Sequence, residues 1–416
     1  MSREIGKSSP QFNVMARIVR VCKGVFANVL SHILLCGISF AQPPKLPANY
    51  PPGQYDESKV PQYTLPDPLV LSNGAKVSDA GAWRQLRRKE ILRLFETYVY
   101  GRDPIGRPRQ MAWEKSAEAR NDTLITRTIR IFFAGAKSGP GMNLRLILPV
   151  NAVKPVPLFL VPGWMRNQEL LFQRGYGLAV FNPWEVEPDR NDTAYANSIR
   201  SAFPDLPKNL LSKDAWGTIG VWAWAMSRAM DYLETDPDID AGKICIMGLS
   251  RYGKVAMWAG AQDERFAIVF SCESGCGGAV IVRRGFGETV KSINGYAPHW
   301  FNAEFKKYGE SVAELPVDWH MLVALMAPRP VYIATAEEDY WGDPYGSFLA
   351  AQGAEPVYAL FGKAGLGVSG MPPVEVPVGN TIGYHMRKGG HGLNAYDWER
   401  FLDFADRHLG SHDRKN

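Results

Sequence analysis

The chain has 416 residues, with 47 Lys and Arg against 42 Asp and Glu, a formal charge of +5. Apolar residues make up 46% and charged ones 21%, a globular balance that excludes an intrinsically disordered chain. Five cysteines over this length exclude a disulfide-dense scaffold, and a surplus of +5 is weak grounds for a nucleic-acid partner.

The surplus sits at the N-terminus. Arg3, Lys7, Arg17, Arg20 and Lys23 face only Glu4 in the first 41 positions. A largely apolar run, Val25 to Phe40, follows, and Ser39 and Ala41 stand at the −3 and −1 places of a cut after Ala41. This order of basic region, apolar core and small-x-small site predicts a signal peptide over 1–41 and export, to the periplasm of a bacterium or beyond. The run is shorter than the ~20 residues of a spanning helix, so no membrane span is expected after cleavage. Taking five basic and one acidic residue from 47 and 42 leaves 42 and 41, a net +1. Of the cysteines that remain, Cys245 reads as a small buried hydrophobe, and Cys272 and Cys276 are too close for a bridge to be the default. No Cys or His pair has metal-ligand spacing.

Residues 42–78 carry eight prolines and read as an extended arm lying over a catalytic domain, 79–416. From Ala80 to Tyr100 apolar residues recur at three and four, apart from one longer step between Leu86 and Ile91, which predicts an amphipathic helix stopped by Gly101. Thr123–Phe133 and Asn143–Leu148 read as a hairpin or antiparallel edge. Val156–Val161, Tyr176–Phe181, Lys243–Met247, Ala267–Cys272 and Pro330–Thr335 are short apolar runs suited to strands covered on both faces. Trp216–Glu234, Gly253–Gln262 and Trp398–Leu409 read as helices. This alternation predicts an α/β fold, with a mostly parallel central sheet flanked by helices.

The strongest chemical signal is Lys243-Ile-Cys-Ile-Met-Gly-Leu-Ser-Arg-Tyr-Gly-Lys254. A buried strand runs into Gly248-Leu249-Ser250 and a helix follows, the context of a nucleophile elbow. A serine at such a tip needs strained backbone angles and small neighbours, and the helix aims its first N–H groups at an oxyanion. The second glycine, Gly253, comes one place later than in G-x-S-x-G. Arg251 and Lys254 add two cations that can hold an oxyanion and an anionic or hydroxyl-rich substrate.

Such a fold orders its triad Ser, acid, His, so the base lies among His299, His320, His385, His391, His408 and His412. His320 and His385 sit in apolar patterns, and His408 and His412 at the C-terminus. His391, in Lys388-Gly-Gly-His-Gly-Leu-Asn394, is on a Gly-rich loop before the last helix and is the expected base. Two acids compete after strand ends, Glu273 and Asp339. Spacing alone leaves the choice open.

Gly248-Leu-Ser-Arg-Tyr-Gly-Lys254, Glu273-Ser-Gly-Cys-Gly-Gly278, Arg283-Arg-Gly-Phe-Gly-Glu288 and Gly389-Gly-His-Gly392 together resemble the glucuronoyl esterases, from about Trp83 to Leu409. Asp214-Ala-Trp-Gly217 and Tyr296-Ala-Pro-His-Trp-Phe-Asn302 are similar to the bacterial branch, with His299 a structural partner rather than the base. The resemblance implies an α/β-hydrolase fold and cleavage of 4-O-methyl-glucuronoyl esters that link glucuronoxylan to lignin alcohols. It implies Ser250 as nucleophile, His391 as base, Glu273 as acid, Asp339 at a second acid position and Arg251 on the oxyanion. It places Lys254, Glu288 and Trp341 on the sugar. Glu288 can accept from vicinal hydroxyls, Lys254 can donate to them, and Trp341 can lie against a pyranose face. No metal or cofactor is called for, and a monomer is expected. Leu249 stands where fungal members carry a cysteine. The loop Pro162-Gly-Trp-Met-Arg-Asn167 departs from the family pattern, so the second oxyanion donor has no candidate. Acetyl or feruloyl esters of xylan, or a binding protein with a decayed site, are the competing readings.

Overall fold

The computed structural model describes residues 46–135, 139–163, 165, 167–190, 198–203 and 215–410. The proposed signal segment and His412 fall outside them.

Ten strands form one sheet: β1 (Ala112–Arg120), β2 (Leu124–Phe132), β3 (Gly141–Pro149), β4 (Val156–Pro162), β5 (Gly177–Phe181), β6 (Ile239–Leu249), β7 (Ile268–Cys272), β8 (Val331–Ala336), β9 (Val378–Gly379) and β10 (Ile382–Arg387). Their order is β1-β2-β3-β5-β4-β6-β7-β8-β10-β9. The block β5-β4-β6-β7-β8-β10 is parallel throughout. β1, β2 and β3 add antiparallel to one side and β9 to the other. This is the mostly parallel α/β sheet expected from the alternation of strands and helices, and it agrees with the α/β-hydrolase fold that the resemblance implies.

The central strands are buried along most of their length because both faces are covered. In β6, Ile244 and Ile246 join one hydrophobic cluster, and Cys245 and Met247 join the other, as the two-residue period requires. The helices Thr218–Leu233 and Arg251–Gln262 pack on one face. The helix Ala395–Leu409 covers the other with Trp398, Phe401, Leu402 and Phe404. Cys245, Cys272 and Cys276 are buried and unbridged.

Two expectations needed the structure to complete them. The stretch Ala80–Tyr100 is helical but contains two π-helical turns, Trp83–Arg87 and Glu96–Tyr100. The longer step falls there: Leu86 is exposed, and Arg87 takes the buried place, donating to the carbonyls of Asp67 and Pro68. β1 has no counterpart among the expected strands: its sequence, AWEKSAEAR, is that of an edge strand with little apolar alternation.

Residues 46–78 run without long secondary structure and bond to loops at one end of the sheet. Tyr50 Oη donates to the Glu338 carbonyl at 3.2 Å and accepts from the Trp341 N–H at 3.1 Å. The Gly287 N–H donates to the Gln54 carbonyl at 2.8 Å, and Arg284 pairs with Glu57 at 2.6 Å. No described helix is long and apolar enough to cross a membrane.

Candidate active site

The candidate residues converge at the carboxyl ends of the parallel strands, where ligands bind in open α/β sheets. Ser250 follows β6, Glu273 follows β7, Asp339 follows β8, and His391 lies on the loop after β10.

Ser250 has φ 58° and ψ −128°, the strained geometry of an elbow. Its N–H donates to the Cys272 carbonyl at 2.9 Å, which ties the turn to the end of β7. A Cβ at position 248 would lie 2.0 Å from the Tyr252 carbonyl oxygen, so only glycine fits. Gly253 explains the late spacing: a Cβ there would come within 2.8 Å of the Ser274 side chain and 3.1 Å of the Cys272 carbonyl. The elbow helix therefore packs closely against the β7 loop.

His391 is half-exposed, and both acids reach the same ring nitrogen. Nδ1 lies 2.9 Å from Asp339 Oδ2 and 3.1 Å from Glu273 Oε2. Spacing had left these two as alternatives; the fold brings them together. Burial pulls the imidazole down, but the Asp339 hydrogen bond and the charges of Asp339 and Glu273 outweigh it and hold His391 above its usual 6.5. Glu273 is 4% exposed. Burial first, and Asp339 beside it, push its carboxyl up to about 8 against the opposing pull of His391, Arg387 and the Gly392 N–H. Glu273, Asp339 and His391 offer three possible metal ligands within 4.8 Å of one another. Gly392 N–H and Arg387 already occupy Glu273, at 2.6 Å each, and the set reads as a shared-proton system.

The two cations beside the serine differ sharply. Arg251 is 41% exposed and is held from behind: Nη1 donates to Asp189 Oδ2, and the guanidinium lies over the Trp300 ring at 5.4 Å. Asp189 Oδ1 also accepts from His299 Nε2 at 2.8 Å and Trp300 Nε1 at 2.7 Å. Burial would raise this carboxyl, but His299, Trp300 and Arg251 keep it below the usual range. Lys254 is only 4% exposed, and its ammonium meets three protein acceptors: the carbonyls of Ser274 and Cys276 at 2.6 Å each and Glu288 Oε2 at 2.9 Å. With three N–H groups and three acceptors, it holds Glu288 and the β7 loop rather than standing free as a donor.

Glu288 Oε1 accepts from the Tyr296 hydroxyl. Arg283 and Arg284 turn elsewhere, to Asp318 and Asp343. Trp341 is half-buried, and its carbonyl accepts from the Glu288 N–H at 2.8 Å. Tyr296, 51% exposed, pairs with Trp300 and Trp341 at ring distances of 5.8 and 6.5 Å. An acidic group thus sits among aromatic rings, a surface suited to a sugar.

His320 and His385 are core residues at 1% and 0% exposure. Sequence reasoning passed over Asp189, Tyr296 and Arg387. Tyr296 lay within a quoted motif, and Arg387 stood at the end of a strand-like stretch just before the Gly-rich loop. Of the 162–167 loop, Trp164 and Arg166 are outside the described residues.

Residues 136–362 match the family described as glucuronyl esterase of fungi. A carbohydrate esterase of an unknown prokaryotic organism is 40% identical over 85% of this chain and 92% of its own length. The structure of a glucuronoyl esterase from Solibacter usitatus superposes with a TM-score of 0.80 at 40% identity, covering 85% of this chain and all of that one. A 4-O-methyl-glucuronoyl methylesterase of Wolfiporia cocos is 28% identical over 73% of this chain and 74% of its own. With this identity and coverage, the chain belongs to the glucuronoyl esterase family.

Proposed function

We propose that the protein hydrolyses esters of 4-O-methyl-glucuronic acid through a serine acyl-enzyme, and so cuts links between glucuronoxylan and lignin alcohols. The observation that carries this reading is the strained Ser250 at the end of β6, in a family whose members are named for this ester.

Ser250 Oγ attacks the ester carbonyl, and His391 accepts its proton. The imidazolium is stabilised at Nδ1 by Asp339 and Glu273. Negative charge forms on the carbonyl oxygen, where Arg251, held by Asp189, meets it; one such donor is worth about 2.7–4 kcal/mol. His391 then protonates the leaving alcohol. Water enters, gives its proton to His391, attacks the acyl-enzyme and releases the uronic acid. Glu288, fixed by Lys254 and Tyr296, receives the sugar hydroxyls, and Trp341 lies against the ring. The enzyme works as a monomer outside the cytoplasm, after loss of residues 1–41, where a polymeric substrate can reach it.

The test is turnover of methyl glucuronate, methyl galacturonate and acetylated xylan by the wild type and Ser250→Ala. The wild type prefers the glucuronate ester, and Ser250→Ala loses about 10⁴-fold or more in kcat. Turnover left intact in Ser250→Ala, or preference for the acetyl ester, overturns the reading.

A further inference from the structure

Arg387, the last residue of β10, is 4% exposed and has no part in the steps above. Its Nη2 donates to Glu273 Oε1 at 2.6 Å, to the Gly390 carbonyl at 2.9 Å and to the Gly392 carbonyl at 2.7 Å. Nη1 donates to the Lys388 carbonyl at 2.8 Å, and Nε to Asp397 Oδ2 at 2.9 Å.

Three of these five acceptors are carbonyls of the loop that carries His391. That loop contains Gly389, Gly390 and Gly392, with φ of 89° at Gly389 and 156° at Gly392. Glycines lose the most backbone freedom on ordering, so a loop this rich in them needs an external hold. His391 itself is half-exposed, so its ring depends on the two carboxylates at Nδ1 and on the course of its loop. Asp397 is immobile in its turn. It is fully buried, accepts from His385 Nε2 at 2.9 Å and from the Asn394 N–H at 2.8 Å, and lies in the first turn of the C-terminal helix.

We propose that Arg387 is the positioning residue of the catalytic base, a single buried guanidinium that joins the His391 loop to Glu273 and anchors both to Asp397. Base and acid then move as one unit. The planar fork matters: a lysine offers three donors from one point and cannot span a carboxylate on each side and three carbonyls. This inference rests on His391 being the base.

The test compares wild type, Arg387→Lys and Arg387→Met by steady-state kinetics on methyl glucuronate, by the rate of covalent labelling with a serine-directed phosphonate, and by thermal unfolding. In Arg387→Met, kcat and the labelling rate fall about 100-fold, the cost of a small misplacement of a reacting group. KM stays within about threefold, because the sugar contacts are untouched. Arg387→Lys keeps the charge and regains part of the loss. A folded Arg387→Met with kcat and labelling near wild type overturns the proposal. So does a loss that follows only the folded fraction and moves kcat and KM together. If Arg387→Met does not fold, the same kcat and KM split in Arg387→Lys decides. Failure of the wild type on the ester, with labelling intact, counts against the substrate reading instead.

Discussion

At the Ser250 corner, Gly248, Ser250, Arg251, Gly253 and Lys254 lie within seven consecutive positions, and one strand-to-helix turn sets their geometry. At the Glu288 corner, the contributions come from residues 50, 54, 254, 288, 296 and 341, spread over stretches far apart in the chain. The first corner is made by backbone strain and close packing, which tolerate almost nothing. The second is made by single hydrogen bonds between loops, each worth about 1 kcal/mol when neutral. Substitutions at the first should therefore abolish turnover, and those at the second should weaken binding.

Gly248→Ala is the severest break of the first corner. The new Cβ meets backbone, 2.0 Å from the Tyr252 carbonyl oxygen, and backbone inside a strand-to-helix turn has nowhere to go. Stability should fall by about 3 kcal/mol, the upper part of the usual overpacking range, and the remaining folded enzyme should not turn over. Urea unfolding and kcat measure both. Unchanged values would mean the elbow is looser than its packing indicates.

The two proposed triad acids test whether strain-built and bond-built parts differ in kind. Glu273→Gln places an amide NH₂ against either the Gly392 N–H or the Arg387 guanidinium, a donor facing a donor whichever way it turns. Asp339→Asn can still turn its carbonyl oxygen to His391 Nδ1. Loss of kcat should therefore be larger for Glu273→Gln, toward the ~10⁴-fold seen when a triad acid is replaced, and smaller for Asp339→Asn. The pH profile should rank them the other way. His391 must be neutral to act as base, and its raised pKa puts the acid limb of kcat/KM above 6.5. Asp339→Asn removes a negative charge from Nδ1 and moves the limb to lower pH; Glu273, pushed up to about 8, carries only part of its charge there, so Glu273→Gln moves it less. Asp339 supplies the hydrogen bond as well as charge, so Asp339→Asn moves it further. Equal shifts would mean that the two acids share the proton evenly.

The same contrast explains what could be read in the sequence. The elbow was legible because a buried strand, Gly248, Ser250 and the helix after it are contiguous, and each residue type answers a local steric need. The parallel strands were legible from apolar runs covered on both faces. β1 was not, because an exposed edge has no such signature. Neither was the pairing of both acids on one nitrogen, since Glu273 and Asp339 are 66 positions apart and meet only through the β7–β8 pairing. The saturation of Lys254 by the carbonyls of Ser274 and Cys276 was equally hidden, because main-chain acceptors leave no mark in a sequence.

Glu288→Gln carries the comparison to the second corner. The amide is isosteric, but the sugar hydroxyls then donate to a neutral oxygen in place of a carboxylate, and hydrogen bonds to a charged group are the ones worth about 1.5–3 kcal/mol. Lys254 still has the two carbonyls, so the fold should hold. The expected result is KM for methyl glucuronate raised by about 10- to 100-fold with kcat changed far less. A loss confined to kcat would place Glu288 with the reacting atoms.

Tyr50→Phe is the mildest probe and the one that asks whether the proline-rich segment belongs to the site. Only the hydroxyl is removed. It joins residue 50 to both the Glu338 carbonyl and the Trp341 N–H, on the short turn between Asp339 and the Trp341 ring. The ring stays, with its edge contact to Tyr55 at 5.4 Å, so stability should barely change. Loss of such neutral bonds is worth about 1 kcal/mol, which corresponds to a rise in KM of about fivefold if the turn relaxes. Because Asp339 begins the same turn, a drop in kcat without a change in KM would locate the effect at the triad. No change in either would mean that the segment only covers the domain and that Trp341 is fixed by Glu288 alone.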